Sequence, residues 1–149
     1  TLMPSDTVPA PTFAVWALKD PDGANLDRIQ IVKGWSENGE AQEKIYDAVW
    51  SGDRKPDAET GKLPAVGNTV DMETLEYENS IGAVELQGTW TDPDFNAEQN
   101  AFYYVRVIEI PTPRWSLFDA KALGIESPPE LKKTIQERAY TSPIWYEHH

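Results

Sequence analysis

The sequence predicts an all-β fold: an antiparallel β-sandwich, immunoglobulin-like or related, of about seven strands with short helical insertions in the C-terminal third, between Pro113 and Gln136. Three observations predict it. The stretch Asn100 to Pro113 (NAFYYVRVIEIPTP) packs three aromatic and four β-branched residues into nine positions, with neither Gly nor Pro inside. Its alternation sets Phe102, Tyr104, Arg106, Ile108 and Ile110 against Tyr103, Val105, Val107 and Glu109, so both faces are largely apolar and both need cover. Other segments alternate with the same two-residue period and stop at clusters of turn residues, and only one segment carries a strong helix start.

The first strand spans Thr12 to Lys19, with Phe13, Val15 and Ala17 opposing Ala14, Trp16 and Leu18, and it stops at Asp20-Pro-Asp-Gly. A second, Asp27 to Trp35, sets Ile29 and Ile31 against Arg28, Gln30 and Val32, so one face should be mostly wet; the two pair as a hairpin. After the tight turn Ser36-Glu-Asn-Gly, Glu43 to Trp50 completes a three-stranded meander. Ser51 to Thr69 is a nineteen-residue loop, long enough to cross between sheets or to carry function. A short strand is expected at Thr74 to Asn79 and another at Ala83 to Thr91, where Gly88 points to a bulge or a close neighbour. Beyond the central strand, Ser116 and Asp119 resemble a capping box for a helix from Leu117 to Leu123 that Gly124 closes. Ser127-Pro-Pro-Glu offers a further turn or two of helix through Lys133, and Ala139 to Tyr146 is a closing edge strand confined by Pro143.

At 149 residues the chain fits one domain, assigned to residues 12–146 and large enough to bury roughly two thirds of its unfolded surface. Thr1 to Pro11 reads as a Pro-rich, linker-like lead-in, which makes the chain an interior fragment, and residues 147–149 read as a tag remnant. Cysteine is absent, which excludes disulfides and thiolate metal sites. Acidic residues outnumber basic ones 25 to 13, a net charge of -12, and no basic cluster could follow a phosphate backbone. Neither nucleic acid nor membrane is an expected partner.

Candidate chemistry is sparse. Asp20-x-Asp22-Gly and Asp92-x-Asp94 resemble fragments of calcium loops, but both stand where Asp-Pro and Asp-Gly make ordinary turns, and neither loop is complete. The acids from Asp53 to Glu59 alternate with Arg54 and Lys55, as in a solvated loop. With the terminal histidines set aside, the chain lacks the commonest general base and transition-metal ligand. Glu85 and Glu109 could form a two-carboxylate site, yet alternation places acids on solvent faces of strands in any case. No catalytic, cofactor-binding or metal-binding residue is therefore assigned, and no cofactor is expected. Six Trp and six Tyr make a conspicuous aromatic share. Trp16, Trp35, Trp50, Trp90 and Trp145 are expected in the core or at a domain interface, with an open sugar-binding face as the alternative. Arg106, on an apolar face, calls for an acidic partner or an exit to solvent.

Three runs carry a resemblance: PTFAVWALKDPDGANLDRIQIVKGW (Pro11 to Trp35), AFYYVRVIEIPTPRW (Ala101 to Trp115) and ERAYTSPIWY (Glu137 to Tyr146). Together with WSGDR (Trp50 to Arg54), LPAVGNTVD (Leu63 to Asp71) and WTDPDF (Trp90 to Phe95), they resemble the C-terminal part of the bacterial family catalogued as domain of unknown function 3604. The resemblance implies a long, exported protein, hence a periplasmic or secreted location. Upstream parts of the family resemble metal-dependent phosphoesterases of the polymerase and histidinol phosphatase type, but none of their His and Asp ligand motifs occurs here, so no catalytic residue carries over. It thus implies a noncatalytic accessory domain whose partner is the upstream catalytic domain of the same chain. The alternative is a carbohydrate- or small-ligand-binding module that uses exposed aromatic residues.

Overall fold

The computed structural model describes residues 8–148; the first seven residues of the linker-like lead-in, and His149 of the presumed tag, lie outside the described residues. The fold is an all-β, antiparallel, sandwich-like arrangement of two unequal layers. The smaller layer pairs β1 (Thr12–Leu18) with β4 (Glu85–Thr91). In the larger, β3 (Glu40–Trp50), β2 (Leu26–Glu37) and β5 (Ala101–Glu109) lie side by side. Two short strands, β8 (Arg138–Tyr140) and β9 (Ile144–Tyr146), share the far side of β5. A small ribbon joins β6 (Thr112–Pro113) to β7 (Thr134–Ile135), and one helix, α1 (Trp115–Leu123), lies between them in sequence.

Register decides which side chains meet. Ile29, Ile31 and Lys33 stand opposite Val107, Val105 and Tyr103, and this row faces the smaller layer. There Val15, Leu26, Ile29, Ile31, Leu86, Ala101 and Tyr103 form the core, with Phe13, Trp35, Val49 and Trp90 packed against it. Gly88 confirms the close neighbour: a Cβ there would stand 2.7 Å from Val49 Cγ2, so the glycine lets the layers approach.

The central strand runs where the alternation places it, but the first hairpin and the meander do not form. β1 pairs with β4 in the other layer, and β2 turns into β3 through Asn38-Gly39, both at positive φ (54° and 82°). Burial explains the choice. β2 is covered on both faces and so takes the middle of the larger sheet, whereas β1 exposes every second residue and suits an outer layer. The wet face expected of β2 is likewise absent, since Val32 and Gln30 are buried.

No strand forms at Thr74 to Asn79. The Asp71 carboxylate accepts the N–H groups of Glu73 and Thr74 (2.7 and 3.2 Å), closing a local turn that competes with any ladder. Leu75 adopts φ 63° there and buries its side chain, and Lys121 of α1 donates to the Glu73 carbonyl at 2.7 Å. The helix starts two residues earlier than expected, with Arg114 as N-cap and no side-chain cap. Ser116 falls inside its first turn with a buried, unpartnered Oγ, so the capping box is not made. Gly124 does close it, at φ 65°. Pro128 to Lys133 makes a single turn (Leu131 N–H to Pro128 O, 3.1 Å) and not a helix. The closing edge strand is split in two: Thr141 still bonds Val105, through its N–H and its hydroxyl, but the chain then leaves the ladder over Ser142 and Pro143, where Pro143 has no N–H to donate.

Candidate functional site

Several of the acids singled out in the sequence have identifiable partners. Asp20 accepts the Asp22 N–H (2.9 Å), while the Lys19 ammonium sits among the carbonyls of Asp20, Pro21 and Gly23 at 2.8 to 2.9 Å. A cation in this turn would compete with that ammonium for the same oxygens. Asp92 and Asp94 are more than turn residues. Asp92, 2 % exposed, accepts Lys33 Nζ at 2.6 Å and the Tyr103 hydroxyl at 2.7 Å through Oδ2, and the Asp94 N–H through Oδ1. Lys33 Nζ also donates to the Asp94 carbonyl, and Asp94 Oδ2 receives Lys44 Nζ (2.5 Å) and the Tyr46 hydroxyl (2.7 Å). Burial, and donation to these carboxylates, push both tyrosine hydroxyls far above their ordinary range. Lys44, and next Tyr46, hold Asp94 below the usual carboxylate range.

A second cluster went unnoticed in the sequence. Asp27, fully buried, receives Arg54 on Oδ1 (2.7 Å) and both Arg28 (2.9 Å) and Gln136 (2.9 Å) on Oδ2. Arg54 is therefore an anchor and not part of a solvated loop: it also binds the Asp27, Ser51 and Pro64 carbonyls, tying the long loop to the start of β2. The available signal was WSGDR itself, an Arg placed just after a Gly turn. Arg106 finds no acid: its Nε and Nη2 both donate to Gln30 Oε1 (2.9 and 2.6 Å), and Gln30 passes a hydrogen bond to Asp47 (2.7 Å). Glu85 holds the Trp16 indole N–H at 2.8 Å, far from Glu109. Glu109 is not on a solvent face but on the inward row with Val107; burial, and then nearby Glu137, raise its pKa. Among the described residues no three His, Asp or Glu side chains gather in metal-binding geometry.

The aromatic residues divide. Trp90 packs at the core with Phe13 and Tyr46, Trp35 borders it, and Trp50 is held by the Arg54 carbonyl. Trp16 (71 % exposed), Trp115 (68 %) and Trp145 (67 %) stand in solvent, so of the two places expected for Trp16 and Trp145 the core is not the one they take. On the outer face of the larger sheet Phe102 lies across Gly34, stacks with Tyr104 (6.4 Å), and meets Trp145 (5.2 Å, tilted 48°). Tyr104 continues the row to Tyr140. Trp145 and Phe102 border two open grooves, of about 570 and about 410 Å³. Further exposed apolar side chains lie outside this row: Trp16 and Leu18 on the outer face of the smaller sheet, and Trp115 and Phe118 on α1.

These features define an all-β, sandwich-like chain whose two buried polar clusters tie loops to strands and whose outer faces carry exposed aromatic side chains. The chain belongs to the family described as protein of unknown function (DUF3604), whose sequence profile matches residues 1–148. No curated protein and no solved structure matches it significantly.

Proposed function

We propose that this is a noncatalytic accessory domain that packs on, and shapes the cleft of, a metal-dependent catalytic part of the same longer protein. The observation that carries the reading is the amount of large apolar surface in solvent, with Trp16, Trp115 and Trp145 each about two thirds exposed or more. Apolar rings gathered on one face mark docking surfaces, and Trp145 is gathered with Phe102, Tyr104 and Tyr140. The polar clusters support the same reading: Asp27 is taken up by Arg54, Arg28 and Gln136, and Asp92 by Lys33 and Tyr103, so these buried charges hold the fold together.

The alternative, a module that binds carbohydrate or another small ligand, is favoured by one feature, the exposed Trp145 ridge between two aromatic grooves. Trp145 and Tyr140 are each tilted by 48° against the nearly parallel Phe102 and Tyr104, so the row is not one flat face, which suits a protein surface better than a sugar ring.

The test separates the two readings. Mix this domain with the remainder of the parent protein and measure association by calorimetry, then titrate the domain with oligosaccharides. Association weakened by Trp16→Ser or Trp145→Ser supports packing; saturable oligosaccharide binding lost in Trp145→Ser supports the alternative. Assay the tag-free domain and the parent side by side on phosphomonoesters and phosphodiesters with manganese or zinc. Metal-dependent turnover by the domain alone would overturn the noncatalytic reading.

A further inference from the structure

The two layers do not match in width: two strands lie over five, and the surplus is all on one side. β4 lies over β3 and β1 over β2 and β5, as the contacts of Gly88 with Val49 and of Phe13 with Tyr103 show. Nothing among the described strands lies beyond β1. There the inward row of the larger sheet is only partly covered: Val105 and Val107 pack against the rim of the core and are half-buried, and Ala139 and Ile144, which share their face, are exposed. A cleft of about 320 Å³ between Ala17, Leu18 and Val107 marks the gap at one end.

β1 presents a usable edge to this gap. Its ladder to β4 is bracketed by Lys19 N–H to Val84 O (3.0 Å) and Asp92 N–H to Pro11 O (3.1 Å). Odd-numbered residues therefore bond to β4, and Thr12, Ala14, Trp16 and Leu18 turn their N–H and C=O groups the other way. Among the described residues no other backbone group meets that edge. Edge strands are usually blunted by Pro or Lys, and β1 contains neither. At the Leu18 end the cleft is lined by Glu109 and Glu137 together with Lys19, Asp20 and Arg138; the Lys19 ammonium is taken up by the carbonyls of Asp20, Pro21 and Gly23, and among the described residues neither glutamate is in an ion pair.

We propose that the free edge of β1 receives an extended polypeptide strand, which completes the smaller sheet, sets apolar side chains on Val105, Val107 and Ile144, and places a Lys or Arg against Glu109 and Glu137. This is strand addition: backbone hydrogen bonds supply affinity and alternate side chains supply specificity. It does not depend on the outer-face packing proposed above, because the edge amides and the exposed Trp rings are separate groups.

The probe is an acetyl-amide peptide of about nine residues, alternating Val and Thr with Arg at one end, long enough to follow β1. Hydrogen exchange is read by NMR at the amides of Ala14 and Trp16. Both are expected to slow on saturation, and a peptide with Glu in place of Arg should bind about fivefold more weakly. Glu109→Gln should abolish that preference. Ala14→Pro removes a free donor without touching the β4 ladder, so it should abolish binding while Val15 and Ala17 amides stay protected. Unchanged exchange at Ala14 and Trp16 in the parent chain with about 1 mM peptide overturns the proposal, and this arm needs no variant. Protection that appears with rising protein concentration and no peptide overturns it as well, since the occupant is then a second copy.

Discussion

In the sequence Lys33 lies inside a β pattern, and Asp92 stands in an Asp-Pro turn that resembles a fragment of a calcium loop. Together they form a buried ion pair at 2.6 Å. Removing one partner strands the other charge, so Asp92→Ala should destabilise the domain by about 3–5 kcal/mol in urea unfolding. Replacing Lys33, Asp92 and Tyr103 together by Met, Leu and Phe should recover most of the loss. Glu109 gives a prediction of opposite sign. Its folded pKa is raised, so its favourable contribution is present below the unfolded value and is lost as pH rises through the folded one. Glu109→Gln should therefore melt higher than the parent near pH 7, with the difference closing as pH falls into the range where Glu109 protonates. Asp94 behaves conversely, since its lowered pKa makes its contribution fade on acidification through that value. At this scale the sequence singled out Asp92 and passed over Asp27, and it could not say that either is buried, because burial of Asp27 or Asp92 depends on Arg54 and Lys33, residues 27 and 59 positions away.

Among the elements, β5 and β4 appear where alternation and their flanking Pro residues place them, and the Gly-closed end of α1 does too. The misses share a cause. Thr74 to Asn79 alternates like a strand, but the Asp71 side chain captured the local N–H groups first. The same competition sets the long loop, whose tether is Arg54. Arg54→Met should leave Asp27 short of an ion-pair partner, costing about 3 kcal/mol, and make the segment between Ser51 and Ala83 the preferred site of limited proteolysis. Gly88→Ala should cost about 1–3 kcal/mol through its clash with Val49, and Val49→Ala should relieve most of that clash; paired thermal melts check it.

For the whole molecule, the expectation is that Trp16→Ser and Trp145→Ser leave the urea midpoint nearly unchanged, since neither ring is in the core, while each weakens docking to the remainder of the parent about tenfold. Loss of stability without loss of docking would contradict the proposed role. By itself the sequence determined the class of fold, because period-two alternation, turn clusters and a single Gly-closed helix are local signals that need no knowledge of partners. It also determined the family, through motifs spread along nearly the whole chain. Only the tertiary structure decided that β1 leaves β2 for β4, that β2 is covered on both sides, and that one layer is narrower than the other. Strand pairing is a competition among distant segments for buried surface, and alternation within one strand marks which face wants cover without saying which other strand supplies it.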